Sequence, residues 1–519
     1  MPSEPTAASR RDLLRQSAVA LGAATLAAPL LAGPADAQPP RQPNTGRIGG
    51  LLNQLSQQTQ WKSPELRLVR RVTLGLSEAD VVRVQQLGYT AYLEEQLNPG
   101  TIPDPVMDAR LQAPLFTQLL GFTPRQLAEQ QERGSSYFDA QLPMSLLTSE
   151  RAICSRRQLQ ERMYEFFLDQ LYVPIWNSGL PPIHYERTIR PHVLGSFGAL
   201  TRAGMRSTSM LQYLDQIWST RWGVNENYAR ELMELHTVGW DGGYTQADVA
   251  GLARILTGWS MNADMEFEYK AWNHDFGAKR AFGMSFPARP QADSGTAGMD
   301  EGIAFGEMLI RHPSTKRFLA TKMLRWFVSP DPTEAQIQAV INAYGAEGDI
   351  KAMLRVALSR ENLMRAPAML KRPFHYGVSV LRATQATLRP VVDIRRDYLS
   401  AVYPINNMSQ PFMNWPTPDG YPDHAEFWAG LIVDRWNEAN NNLVSEFDAP
   451  GRAVTNWSLF MGNGTEDGAV RAINSRLFGG EMSLALENEL RVILRPGVNS
   501  ARVASALRLA VTAPEFHFF

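Results

Sequence analysis

The chain has 519 residues, 44% hydrophobic and 20% charged, with a formal net charge of -1. That balance belongs to a globular protein with a large core rather than to a disordered chain, and near-neutrality excludes the broad basic field of a general nucleic-acid or anionic-membrane binder. One cysteine, Cys154, and no Cys-x-x-Cys-His exclude an intramolecular disulfide, cysteine-rich zinc and iron–sulfur sites, and covalent haem attachment.

Ser9-Arg10-Arg11-Asp12-Leu13-Leu14-Arg15, an apolar run over 18–32 and a small-x-small site at Ala35-Asp36-Ala37 read as a twin-arginine export signal over residues 1–37. The apolar run is too short and too Ala-rich for a membrane span. A mature chain of about 480 residues is therefore expected to start near Gln38, without a transmembrane span, and to work in the periplasm or outside the cell. Residues 38–60, rich in Pro, Gln, Asn and Gly, form a linker, and 61–519 a helical domain.

A short helical pattern covers 64–71 and stops at Gly75; Ser77 and Asp80, a capping-box-like pair, open a helix that Gly88 ends, and 89–96 form a third. Leu159, Met163, Phe166, Phe167 and Leu171 repeat at helical spacing within 149–173, until Pro174 and Pro181-Pro182 break the pattern. Further helices are expected over 184–203 and around Met210–Leu214, and the two best-defined ones over 225–236 and 245–257. Residues 261–302 carry Gly, Pro, Asp and aromatics without a sustained period, a long irregular insertion of the kind that lines sites. Helical patterns resume at Ile303 over 318–328, 334–344, 350–358 and 376–388; a Pro- and Asn-rich section over 403–424 interrupts them, and amphipathic helices return over 469–514. Runs of alternating β-branched residues are nearly absent, so the predicted fold is all-α or mainly α, a large multi-helix domain with one long irregular insertion.

Chemistry-bearing residues collect in two places. In 225–239, Asn227, Glu231 and Glu234 share one helix face, Arg230 can pair with Glu234 four residues on, and His236 falls in the last turn before Gly239, where the helix dipole favours its charged form. Such a stripe is either a buried salt-bridge network that fixes helix packing or a functional polar cluster. Its spacing does not match a two-His zinc protease. In 272–279, Trp272 precedes His274-Asp275 and Lys279: a metal ligand or acid/base, an orienting carboxylate and an anion holder, or else a solvated loop with a local His–Asp contact. Gly242-Gly243 reads as turn chemistry before a Thr245–Asp248 capping box, His312 as a neutral cap ahead of Pro313, and Cys154, beside Arg156 and Arg157, as an ordinary semi-buried thiol. Trp415, Phe427 and Trp428 flank a rigid loop, Pro416 to Pro422, and either stack on a flat ligand or close over a core.

Arg70-Arg71-Val72-Thr73-Leu74-Gly75, the run Asn225 to Leu232 with Glu234-Leu235-His236-Thr237, and Gly242-Gly243-Tyr244-Thr245 through Leu256-Thr257-Gly258-Trp259 come in an order that resembles the DUF1800 family, bacterial and largely exported. So do His274-Asp275, His312-Pro313, Lys371-Arg372-Pro373-Phe374, Gln410-Pro411, Pro418-Asp419-Gly420-Tyr421-Pro422 and Pro514-Glu515-Phe516. The resemblance implies a mainly helical domain and the company of a sulfatase-like protein, DUF1501; it implies no reaction. It also marks departures: Arg67, Gln170 and Ser207 stand where relatives usually carry His.

Three functions are compatible with these residues. The first is an exported hydrolase or lyase acting on an extracellular polymer such as polysaccharide, with Glu231 or Glu234 as general acid or base, His236 and His274-Asp275 as proton partners or metal ligands, and Asn227, Arg230, Trp272 and Lys279 holding substrate. The second is a non-catalytic scaffold for the sulfatase-like partner. The third is a metal-binding oxidoreductase carrying a divalent metal of unspecified identity. The enzymatic readings require residues 230–236 and 272–279 to meet in one wet hollow.

Overall fold

Most helices begin where a side chain supplies the hydrogen bond that the first turn lacks. Ser63 Oγ accepts from Leu66 N–H ahead of α1, Pro64–Val72, whose proline sits where no N–H is needed. Ser77 caps Glu78–Leu87, Thr245 and Asp248 form a complete capping box, and Thr333 does the same with Gln336. The computed structural model describes residues 61–132, 140–176, 179–290, 295–388, 403–445 and 454–519, together with Ser56. The leader expected over 1–37 and nearly all of the 38–60 linker lie outside the described residues. Helices account for 63% and strands for 5%, so the fold is mainly α, as the sequence pattern predicts.

Three predicted stretches differ in detail, each for a local reason. The pattern over 149–173 is split into α2, Leu142–Cys154, and α3, Gln158–Gln170. Ser155 turns its hydroxyl to Asp104 at 2.6 Å and accepts from Arg157 N–H, which ends one helix and starts the next. Residues 184–203 form a π-turn, His184–Ile189, a short 3-10 turn and then a helix, Phe197–Met205, that starts afresh from a Ser196 cap after Pro191 and Gly195. The pair of best-defined helices appear as α4, Asn227–Glu231, continuing through a π-turn over Leu232–His236, and α5, Gln246–Ile255.

The insertion over 261–302 is more ordered than its composition suggests. It contains most of two antiparallel hairpins, β1 Trp259–Met261 with β2 Phe267–Tyr269, and β3 Lys279–Ala281 with β4 Met284–Phe286. Helix α6, Ala297–Arg311, begins six residues before the expected Ile303. Gly298 and Gly302, which interrupt the apolar period here, are contact points: a Cβ at Gly298 would stand 2.4 Å from His274 Cδ2, and one at Gly302 would stand 2.6 Å from the Trp259 ring. These glycines let the helix approach the hairpins closely; they do not break it.

Two apolar clusters carry the packing. The larger gathers Leu68, Phe167, Tyr185, Leu252, Phe305 and Leu324; the smaller gathers Tyr376, Val380, Phe460, Leu490 and Leu507. Helix α7, Pro373–Ala383, is buried along its whole length in the second. Leu66 and Val69 of α1 belong to the first, whereas Trp61 and Leu74, at its two ends, belong to the second. Early and late segments are also tied by polar bonds: Ser63 N–H donates to Glu481 (2.7 Å), Arg70 Nη2 to the Phe478 carbonyl (2.7 Å), and Met369 and Phe519 exchange backbone bonds at 2.9 Å. No helix among the described residues is long and apolar enough to cross a membrane.

Candidate functional site

The two chemistry-bearing stretches attach to opposite ends of α5. At its first residue, Gln246 accepts from Arg230 Nη2 (2.8 Å) and donates to Glu226 (2.7 Å). In its last turn, Arg254 pairs with Asp275 at 2.6 Å. Eight residues at a rise of 1.5 Å set these two anchors about 12 Å apart along the helix. The two stretches are thus bonded to different ends of one helix.

Around α4 the structure shows the expected Arg230–Glu234 pair at 3.3 Å, with Glu226 on the other side of Arg230 at 3.4 Å. Glu234 is buried, Glu231 and Asn227 are half-buried, and Asn227 donates its N–H to Asn225 Oδ1. His236 departs from expectation. It is sealed in the core, where burial, with His184 and Lys322 adding to it, pushes its pKa down to about 3. Desolvation outweighs the helix dipole, which is a surface effect of smaller size. Two positions where the resemblance marks a lost histidine are tied to it, Gln170 directly and Ser207 through His184. Gln170 Nε2 donates to the carbonyl of Leu235, and Ser207 Oγ lies 2.8 Å from His184 Nδ1, whose ring in turn meets the Leu171 carbonyl through Nε2. Burial lowers His184 to about 4.

The 272–279 stretch folds into a closed network. His274, with no solvent exposure, places Nδ1 2.8 Å from the Thr257 carbonyl and accepts from Lys279 Nζ at Nε2 (3.1 Å). Lys279 also donates to the Asp275 carbonyl and stands 2.7 Å from Glu301, a buried carboxylate on α6. Burial alone would raise the Glu301 pKa; contacts with His274 and Lys279 reverse that and hold it below the ordinary value. Burial lowers Lys279 despite this partner. The expected His–Asp contact does not form, because Asp275 turns to Arg254 and to Gly277 N–H instead. Lys279, expected to hold an external anion, has an internal one. Glu301 was missed because Asp300-Glu301-Gly302 reads as loop until the helix through it is seen.

Beside these networks, several aromatic rings stand open to solvent. Trp218, Trp222 and Trp272 are 73%, 70% and 61% exposed, with Val224 beside them in sequence. Trp218 ends a 3-10 turn, Gln216–Trp218, pinned from inside by Gln216 Nε2 to the Leu256 carbonyl (2.7 Å). Thr220 and Gly223 exchange backbone bonds across a tight turn that presents Trp222, over whose ring Arg221 lies at 4.2 Å. Arg221 N–H donates to the Asn273 carbonyl (2.8 Å), which joins this turn to the one carrying Trp272. Of these three rings the sequence singled out Trp272 alone. Two tryptophans four apart among Ser, Thr, Arg and Gly, in a segment too short for an amphipathic helix, were the readable signal for the others.

The remaining motifs have structural partners. Asp248 accepts from Thr245 at the cap and from Phe282 N–H at 2.6 Å, tying α5 to the β3–β4 hairpin. His312 caps the next helix by accepting from Ser314 N–H and packs on the Phe282 ring at 4.6 Å, with its pKa lowered by burial. Tyr421 and Trp428 are buried, Trp428 donating to the Pro422 carbonyl, so the 416–422 loop closes over core while Phe427 stays exposed. Among the described residues no group of three His, Cys, Asp or Glu side chains is placed to hold a metal ion.

The family described as "protein of unknown function (DUF1800)" matches residues 67–518. No curated protein and no solved structure matches the chain.

Proposed function

We propose, for a chain that belongs to the DUF1800 family, that it is exported by the twin-arginine route and captures an extracellular polysaccharide on the tryptophan surface. The observation that carries this reading is the set of exposed rings at Trp218, Trp222 and Trp272, held on three short turns, the last two joined by the Arg221–Asn273 bond. Exposing three indoles to water forgoes the burial such side chains normally obtain. Flat, rigid rings with a polar edge suit the C–H faces of sugar rings, and Arg221 beside them supplies donors for hydroxyl groups. Removing one ring is expected to cost about 1.4 kcal/mol, a tenfold loss of affinity. Retardation of the mature protein in gels cast with soluble polysaccharides tests this. Trp222→Ala and Trp272→Ala should each abolish most of the retardation of one glycan while leaving circular dichroism unchanged. Absence of retardation across neutral and acidic glycans, or retardation indifferent to both variants, overturns it.

Hydrolysis or lysis of the bound polymer needs a carboxyl group within reach of it. Of the expected acid–base residues, Glu231 on α4 and Asp275 are half-buried and not sealed, and Asp275 is held by Arg254. Glu231→Gln is therefore the variant that separates capture from cleavage: reducing-end release lost with binding retained makes Glu231 catalytic.

A second reading, docking of a sulfatase-like partner, is favoured by the internally paired His274–Lys279–Glu301 network together with the same exposed rings, since tryptophans dominate interface energetics. Co-purification of the partner that Trp222→Ala abolishes, without any glycan retardation, would decide for it.

A further inference from the structure

Arg435 sits on α8, Ile432–Glu438, and its side chain has no solvent exposure. Its Nη2 donates to the Trp428 carbonyl at 3.2 Å, while Nε and Nη1 are buried without a hydrogen-bond partner. Its Cζ lies 5.8 Å from the ring of Tyr376, a phenol that burial keeps protonated. Burial pulls the guanidinium down to about 10, which leaves it charged at neutral pH. A second cation stands close by. Lys371, 5% exposed, spends one N–H on the Phe516 carbonyl (2.8 Å), and its Nζ lies 4.1 Å from the Phe516 ring. Burial lowers its pKa well below the ordinary value, and Arg70 and Arg435 push the same way. The nearby imidazole brings no counter-charge: His517 stacks on Tyr376 at 4.7 Å and accepts from Trp436 Nε1 at Nε2 (3.2 Å), so its ring is neutral.

Among the described residues neither Arg435 nor Lys371 has a carboxylate partner. Arg382 and Lys279, comparably buried, meet Asp80 at 2.6 Å and Glu301 at 2.7 Å. A buried charge left unpaired is heavily penalised, and native proteins rarely leave buried donors unanswered. We propose that a chloride ion is taken up beside the Arg435 guanidinium as the protein folds and supplies the missing negative charge. A single small ion suits this setting. Its charge is satisfied by a few N–H donors, and the ring faces of Tyr376, His517 and Phe516 ask nothing more of it. A phosphate or sulfate would bring several further oxygens that those faces cannot pair. The same ion favours the protonated form of Lys371, against the burial that removes its charge. No residue of the tryptophan turns takes part, so the ion site stands or falls separately from glycan capture.

The probe is sodium chloride exchanged against sodium gluconate at constant ionic strength and pH, read by the thermal melt of the mature protein. Because the ion binds the folded chain alone, Tm should rise with chloride and level off, by about 3 °C at a hundred times its Kd. Arg435→Met keeps the length of the stem and removes the charge; it should lose most of that rise. Crystals of the wild type grown with bromide in place of chloride should show anomalous scattering beside the Arg435 guanidinium, and this carries the test alone where circular dichroism shows that the variant has not folded. Equal Tm in chloride and gluconate, a chloride response unchanged in Arg435→Met, or no bromide beside Arg435 overturns the proposal.

Discussion

Replacing Lys279 by Met probes the sealed network most directly. The ammonium stands 2.7 Å from Glu301 and 3.1 Å from His274, with both partner side chains at 3% exposure or less. Met keeps the length of the stem and removes the charge, so the loss is electrostatic and not a cavity. The Glu301 carboxylate would then be left in a site that water does not reach, with Arg289 at 4.0 Å as the remaining cation. Breaking a buried pair in this way costs about 3–5 kcal/mol. At roughly 2 cal/mol/K of unfolding entropy per residue, the unit of about 470 residues has an entropy near 1 kcal/mol/K, so Tm should fall by about 3–5 °C. Differential scanning calorimetry of the wild type, Lys279→Met, Glu301→Leu and the double variant closes a cycle. The double variant should recover most of the loss, because removing both charges also removes their desolvation penalty. A fall of under about 1 °C for Lys279→Met, or a double variant as damaged as the sum of the singles, would refute the claim that the network is closed and structural.

Acid should destabilise the fold through its sealed histidines. His184 and His236 have folded pKa values of about 4 and about 3, below the unfolded value near 6.5, so between those limits the unfolded chain binds protons that the folded chain does not. Their contribution is complete above pH 6.5 and is lost as pH falls, by up to about 1.4 kcal/mol per pH unit for each ring. Urea melts from pH 7 to 4 should show a shallower pH slope in His184→Gln and His236→Gln than in the wild type; equal slopes would count against the assignment. Gly298→Ala should lower stability by about 1–3 kcal/mol although alanine favours helices, because its methyl group meets Tyr269 and His274, whereas Gly121→Ala, which meets nothing, should be neutral or mildly stabilising; chemical denaturation of the two reads this. Burial lifts the Cys154 thiol to about 11, so iodoacetamide at pH 8 should leave it unmodified in folded protein and label it fully in urea, and rapid labelling of the folded chain would refute its burial.

The mainly helical fold was legible because caps and 3.6-residue periodicity are local signals: Ser77, the Thr245–Asp248 box and the Arg230–Glu234 pair all appear as spacing predicts. Errors arose where tertiary packing changed the meaning of a residue. Gly298 and Gly302 interrupt the apolar period and are contact points; His236 looked like a dipole-stabilised cation and is a core imidazole. The candidate site fared worse for the same reason. Sequence identifies His274, Asp275 and Lys279 as reactive types, but not that Glu301 and Arg254 answer their charges from helices on either side. Exposure was only partly legible: the polar setting of Trp218 and Trp222 flags the pair, but the direction of each ring is set by the turns that carry them.

The bonds that fasten α1 to Phe478, Glu481 and the strand-like pairing at Met369 and Phe519 have a kinetic meaning. Contacts that span some 400 residues cannot form until translation has delivered the distant partner, so α1 emerges from the ribosome with part of its docking surface still unmade. Closure of the smaller cluster, which draws on residues 439–516, is then a late event, whereas the larger one is built from residues 66–366 and Met413 and can form before it. A chaperone holding the nascent amino-terminal region would act on this step, and a truncation near residue 480 would be felt at residue 66 as sharply as at its own cut end.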